Sequence, residues 1–261
     1  MKNHVIDFEI YGDDMQFVSV ELDPQETVIA EAGSLMMMDD GIHMETIFGD
    51  ATSETGLMGK LFSAGKRVLT GESLFMTAFT NQASGKKHVS FASPYPGKII
   101  PMDLSQYHGK IICQKDSFLA AAKGVAVGIE FQRKIGAGFF GGEGFIMQKL
   151  EGDGMAFVHA GGTIFKKDLA PGELLRVDTG CLVAMTSSVD YNIELVKGVK
   201  TALFGGEGLF FATLRGPGTV WVQSLPFSRL ASRVFAAAPR RGGSKDEGSI
   251  AKGLFDIFNG D

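Results

Sequence analysis

The segments LDPQETVIAEAGSLMMM (Leu22–Met38), LSQYHGKIICQKDSFLAAA (Leu104–Ala122) and LAPGELLRVDTGCLVAM (Leu169–Met185) decide how this sequence is read. Each begins with Leu, passes a Gly- or Pro-bearing turn, enters a short β-branched strand, takes a small polar step and ends in a second apolar strand. The polar step carries Glu31 in the first, Asp116 in the second and Asp178 in the third, with Ser34, Ser117 and Cys181 roughly aligned after it. Runs this short, separated by turn residues, read as strands rather than helices. Their recurrence predicts one supersecondary unit used three times.

Between these segments lie three further stretches of one kind. Residues 142–169 read GEGFIMQKLEGDGMAFVHAGGTIFKKDL and residues 206–230 read GEGLFFATLRGPGTVWVQSLPFSRL, with a weaker counterpart, GESLFMTAFTNQASGKKHVSFASPYPGKIIPMDL, at 71–104. In each, Glu72, Glu143 or Glu207 precedes an apolar strand, a polar Gly-containing turn and a second strand, which is a β-hairpin signal. Ile129-Glu130 and Ile193-Glu194 stand the same distance before their Gly-Glu pairs, whereas the first copy carries an insertion between Thr46 and Gly71. The expected organisation is a first β repeat over 1–70 with the insertion at 46–70, a second over 71–141, and a third with a closing hairpin over 142–238. A charged linker and a short terminal helix then occupy 239–261, where Ile250, Leu254, Ile257 and Phe258 fall on one helical face. The class is all-β.

Totals narrow the function. With 261 residues, 44% hydrophobic and 35 Gly against 8 Pro, the chain has ample material for a core and many turns. A net charge of −5 leaves no basic surplus for an extended phosphate track, so nucleic acid is not an expected partner. Cys113 and Cys181 belong to no CxxC or Cys/His pair and read as free thiols. The opening MKNHVIDFEIYGDDMQ carries acids where a signal peptide needs an apolar run, and no stretch reaches the ~18 apolar residues of a membrane span. The expected location is cytoplasmic.

Candidate chemistry is sparse. None of His4, His43, His88, His108 and His159 stands beside a second ligand, although His43-x-Glu45 would share a strand face that His159 could approach from another repeat. No Gly-x-Ser-x-Gly elbow is present, and Ser34 reads as a turn residue. The tract Ile135–Phe145 lacks the Gly-Lys-Ser/Thr end of a phosphate loop and recurs at Phe204–Phe211, as a repeated hairpin corner would. Glu72, Glu143 and Glu207 recur in all three copies; they either cap their own turns or face a common axis as a carboxylate cluster. The insertion combines Leu57, Met58, Leu61 and Phe62 with Lys60, Lys66 and Arg67, which suits a partner or an anionic membrane surface. No catalytic residue, metal ligand set or cofactor is identified.

The segments EAGSLMMMDDGI (Glu31–Ile42), Gly142–Gly144, Gly206–Gly208 and FVHAGGTIFKKDLAPGE (Phe157–Glu173) resemble the bacterial relatives of the mitochondrial-biogenesis protein called altered inheritance of mitochondria, number twenty-four. The resemblance covers about residues 1–238. It implies a fold similar to the tryptophan RNA-binding attenuator protein: three short double-stranded β-helix units arranged with approximate threefold symmetry. It also implies association through sheet edges into a homo-oligomeric ring such as a trimer. RNA binding is not carried over, because the evenly spaced Lys and Arg of such a surface are missing. The expected function is that of a non-catalytic oligomeric binding or scaffold protein, at a membrane surface in one version. A small-molecule- or metal-dependent activity between repeats is the alternative.

Overall fold

Short strands carry unpaired amides on both sides, so the fold is decided by which strand each finds. A computed structural model describes residues 5–48, 75–133, 145–195 and 210–237. The first part of the chain forms β1 (Asp7–Tyr11), β2 (Phe17–Leu22), β3 (Thr27–Glu31), β4 (Leu35–Met38), β5 (Ile42–Phe48), β6 (Phe75–Asn81) and β7 (Lys87–Ala92). The middle forms β8 (Gly97–Asp103), β9 (Lys110–Gln114), β10 (Phe118–Ala122), β11 (Ala126–Arg133), β12 (Phe145–Glu151) and β13 (Met155–Gly161). The last part forms β14 (Ile164–Leu169), β15 (Leu174–Asp178), β16 (Leu182–Thr186), β17 (Asp190–Leu195), β18 (Phe210–Arg215), β19 (Gly218–Gln223) and the helix α1 (Phe227–Ala237). Among the described residues the protein is all-β apart from short 3-10 turns and one short α-helix, α1.

Among the described residues these strands make four antiparallel sheets, in the orders β1-β2-β7-β4, β5-β6-β3-β10-β13-β8, β11-β12-β9-β16-β19-β14 and β15-β18-β17. One pairing pattern recurs. In the first part β7 lies between β2 and β4, and β6 between β3 and β5. In the middle β13 lies between β8 and β10, and β12 between β9 and β11. In the last part β19 lies between β14 and β16, and β18 between β15 and β17. The register repeats as well: a bulge falls between Leu35 and Met37, between Phe118 and Ala120, and between Leu182 and Ala184. Two ladders then join the parts, β3 to β10 and β9 to β16.

Those joining ladders put the central strands under cover on both faces, and burial follows. β2, in the first sheet, alternates between buried and half-buried positions, as a strand with one face on a core does. β10 is buried at all five positions. In β3, Val28 and Ala30 enter one core cluster and Ile29 another; in β9, Ile111 and Cys113 enter that second cluster while Ile112 enters a third. Three cores therefore separate four stacked sheets, and β3, β10, β9 and β16 each contribute to two of them.

Local chemistry repeats at the turn before β3, β9 and β15, where Gln25, His108 and Gly172 all adopt positive φ. The amides of Gln25 and Gly172 donate to the carbonyls of Asn81 and Gly216, and the Glu26 and Glu173 carboxylates accept from the amides of Asp23 and Ala170. In the middle part a 3-10 turn over Leu104–Tyr107, capped by Asp103, does this work.

Three sequence expectations are corrected. The strands read as hairpins, β6 with β7, β12 with β13 and β18 with β19, do not pair with each other: the turn between them carries the chain from one sheet to the next, so the two strands of each couple face each other across a core. Asp116 does not share the position of Glu31 and Asp178: the ladders to β6, β12 and β18 align Glu31 with Gln114 and Asp178, and Asp116 sits two residues later in a 3-10 turn. The stretch after β19, read as part of a third repeat and closing hairpin up to 238, is helical over Phe227–Ala237, begun by Pro226, whose carbonyl accepts from the amides of Arg229 and Leu230. The terminal helix expected around Ile250–Phe258 lies outside the described residues. No helix among the described residues is long and apolar enough to cross a membrane.

Phe157 is fully buried on β13, in the core cluster between the first two sheets, with its ring edge-on to Phe8 at 4.9 Å. Phe157→Ala removes that packing and leaves a cavity, with an expected loss of about 3–5 kcal/mol in urea unfolding. Phe235→Ala, on the exposed face of α1, is expected to change little.

Candidate binding surface

The repeated acids Glu72, Glu143 and Glu207 lie outside the described residues, as do Leu57, Met58, Lys60, Leu61, Phe62, Lys66 and Arg67 of the insertion. The composite His43, Glu45 and His159 is taken apart by topology. His43 and Glu45 are exposed on β5, whereas His159 is buried on β13, with β6, β3 and β10 between them. Four strand spacings amount to roughly 19 Å. Among the described residues no group of three His, Cys, Asp or Glu is placed to hold a metal ion. The thiols are subdued: burial, with Glu31 adding to it, pushes Cys113 up, and burial followed by the Asp178 charge raises Cys181. The Ser34 hydroxyl donates to the Glu31 carbonyl, as a turn residue does.

His159 is the unusual polar group of the interior. It pairs with Ile99 as Gln223 pairs with Ile164, so the two side chains occupy matching places. The Gln223 side-chain oxygen accepts from the Gly161 amide at 2.7 Å and its nitrogen donates to the Gly180 carbonyl at 2.8 Å. In the middle part the residue matching Gly161 is Pro96, which has no N–H to offer. The Tyr95 ring stands edge-on to the imidazole at 4.4 Å, and a Cβ on Gly97 would come within 2.7 Å of Nε2. Neither ring nitrogen has a hydrogen-bond partner of normal geometry. Burial therefore lowers the His159 pKa to about 4, a backbone contact with Tyr95 only partly opposing it, and burial with the Asp116 charge raises Tyr95 to about 12. His159 is neutral at pH 7 and enclosed.

A neutral buried His binds fewer protons than the same His in the unfolded chain between its two pKa values. Its contribution is complete above the unfolded value of about 6.5 and falls by roughly 3 kcal/mol as pH drops to about 4. Unfolding free energy followed from pH 7 to pH 4 is expected to decline over that window. In His159→Gln, which installs the side chain found at the matching position 223, that part of the decline is expected to vanish.

The outer surface carries a clearer signal. Among the described residues eight strands end their sheets, and most are marked against further pairing. Asp7 and Glu9 lie on β1, Glu45 on β5, Lys98 and Pro101 on β8, Glu130 on β11, Lys166 and Lys167 on β14, Arg176 and Asp178 on β15, and Asp190 and Glu194 on β17. β4 has none of these. Its side chains are Leu35, Met36, Met37 and Met38, and the three methionines are 49%, 52% and 41% exposed. The matching residues of β10, Leu119, Ala120 and Ala121, and of β16, Val183, Ala184 and Met185, are at most 2% exposed. β15 also ends its sheet, with Leu174 55% exposed, whereas β3 and β9, which match it, are covered at nearly every position. α1 adds Val234 and Phe235 to the exposed apolar surface, and its Arg229 guanidinium reaches the Asp178 carboxylate at 3.6 Å.

The described residues form an all-β protein of stacked antiparallel sheets, with exposed apolar side chains on the edge strands β4 and β15. The chain belongs to the family described as Mitochondrial biogenesis AIM24, whose profile matches residues 8–225. It is similar to an uncharacterized protein of Streptococcus pyogenes serotype M6, 30% identical over 222 residues, which are 83% of this chain and 85% of that protein. A crystal structure of a Streptococcus pyogenes protein shares the fold with a TM-score of 0.68 at 24% identity, covering 89% of this chain and all of the other.

Proposed function

We propose that the chain is a non-catalytic binding or scaffold protein that works as a homo-oligomer. The observation that carries this reading is the row Met36, Met37 and Met38, exposed on an edge strand that lacks protective charge or proline. Exposed apolar surface of this kind costs solubility unless something covers it, and methionine adapts to varied partners. The free thiols of Cys113 and Cys181 suit a reducing compartment, in keeping with a cytoplasmic setting.

In this reading the architecture is three copies of one double-stranded β-helix unit, spanning 17–92, 97–161 and 164–223. That division keeps the paired strands β5 and β6, and β11 and β12, within one unit each, where cuts at 70/71 and 141/142 would separate them. The units follow one another by the same step, β3 to β10 and then β9 to β16. With β4 and β15 both ending their sheets, the step is open within one chain. A threefold arrangement then belongs to the order of the units rather than to a closed ring of three.

Light scattering of the full chain across a concentration series is the test. A single assembly that is a multiple of the 27.9 kDa chain is expected. A chain that remains at 27.9 kDa throughout contradicts the reading.

A further inference from the structure

We propose that β4 of one copy pairs antiparallel with β15 of a second copy, in the register that joins β10 to β3 and β16 to β9. The inference rests on the self-association proposed above and names its surface.

The argument begins with the two joints inside the chain. At the first, Ala120 faces Ala30, Ala121 faces Ile29 and Ala122 faces Val28; at the second, Ala184 faces Cys113, Met185 faces Ile112 and Thr186 faces Ile111. The shared bulge aligns Met37 with Ala120 and Ala184, and Met38 with Ala121 and Met185. The ladders to β6, β12 and β18 align Val177 with Ala30 and Cys113, and Arg176 with Ile29 and Ile112. A third joint of the same kind needs a strand of the β4 type and one of the β15 type. Among the described residues each chain has one of each left over, at the ends of different sheets.

Applied to those strands, the register sets Met37 opposite Val177, Met38 opposite Arg176 and Asp39 opposite Leu175. Cross-strand neighbours on one sheet face interact directly, so the methionines meet an aliphatic side chain and the stem of an arginine. The result is a seven-stranded sheet, β1-β2-β7-β4 of one copy continued by β15-β18-β17 of the next. It covers the apolar residues whose counterparts are covered at both internal joints. The contact is head-to-tail, each copy using different strands on its two sides, so it propagates from copy to copy and closes into a ring when the rotation per copy allows.

Cysteine pairing tests the register. In a Cys181→Ser background, chains carrying Met37→Cys and chains carrying Val177→Cys are mixed and treated with a short bis-thiol cross-linker. A linked heterodimer is expected from the mixture, and no linked dimer from either variant alone. Moving the first substitution to Met38→Cys turns that side chain to the other face, and at least a several-fold lower yield is expected. Met37 is exposed and Val177 half-buried against the third core cluster, so circular dichroism checks that the fold is kept in both variants. As a second measurement, Met38→Asp is expected to reduce the assembly to single folded chains in light scattering. If no heterodimer is linked while the assembly persists, or if Met38→Asp leaves its mass unchanged, the joint is elsewhere and the pairing is overturned although self-association stands. If the unmodified chain is monomeric throughout, the pairing and the oligomer reading fall together. A bridge formed within a monomer carrying both Met37→Cys and Val177→Cys also overturns the pairing, because β4 and β15 then meet inside one chain.

Discussion

The backbone ladders from β3 to β10 and from β9 to β16 are the contacts on which the rest depends. Each is short, three residue pairs, yet each converts two three-stranded groups into one six-stranded sheet. That union lets a strand such as β10 be buried at every position, and it ties three cores into one structure. Ala120, Ala121 and Ala122 are fully buried at this place, as are Val183, Ala184 and Met185 in β16. Met36, Met37 and Met38 stand at the matching place in β4 without such neighbours, so large flexible side chains are accommodated there.

The same positional logic accounts for the polar interior. Gln223 bridges two backbone groups because Gly161 offers an amide and Gly180 a carbonyl at the right places. His159 occupies the matching site beside Pro96, where the amide is gone, and is left neutral under the ring of Tyr95. A histidine with a strongly lowered pKa is often a sign of function. Here the displaced partner of a repeated structural bond explains it, and the exposed strand edges carry the functional argument instead.

How much of this was legible in the sequence follows from contact range. The strands β12, β13, β18 and β19 were readable because Gly-Asp-Gly and Gly-Pro-Gly turns stand between runs of visible pattern, but the hairpin reading was not met, because the two strands on either side of each turn enter different sheets. The alignment of Leu22–Met38 with Leu104–Ala122 and Leu169–Met185 was readable as well, although the acid in the second copy suggested a match two residues out of place. What the sequence did not disclose was which strands join across the copies, since β3 and β10 lie about ninety residues apart and nothing local encodes their pairing. The helix Phe227–Ala237 was missed despite a usable signal: Pro226 before it, then Phe227, Leu230 and Val234 at helical spacing. Of the residues nominated for function, the three glutamates and the insertion lie outside the described structure, and the edge strand β4 figured in the sequence as part of a repeat and of the family resemblance, not as a binding surface.

The account is tested most directly by amide hydrogen exchange across the three matching strands as a function of protein concentration. Peptides covering β10 and β16, joined on both sides within the chain, are predicted to be strongly protected at every concentration. Peptides covering Leu35–Met38 and Leu174–Asp178 are predicted to gain protection together as concentration rises, because both edges are closed by the same contact between copies. Exchange at both edges that stays fast and independent of concentration would contradict the claim that the repeated joint continues from one copy to the next.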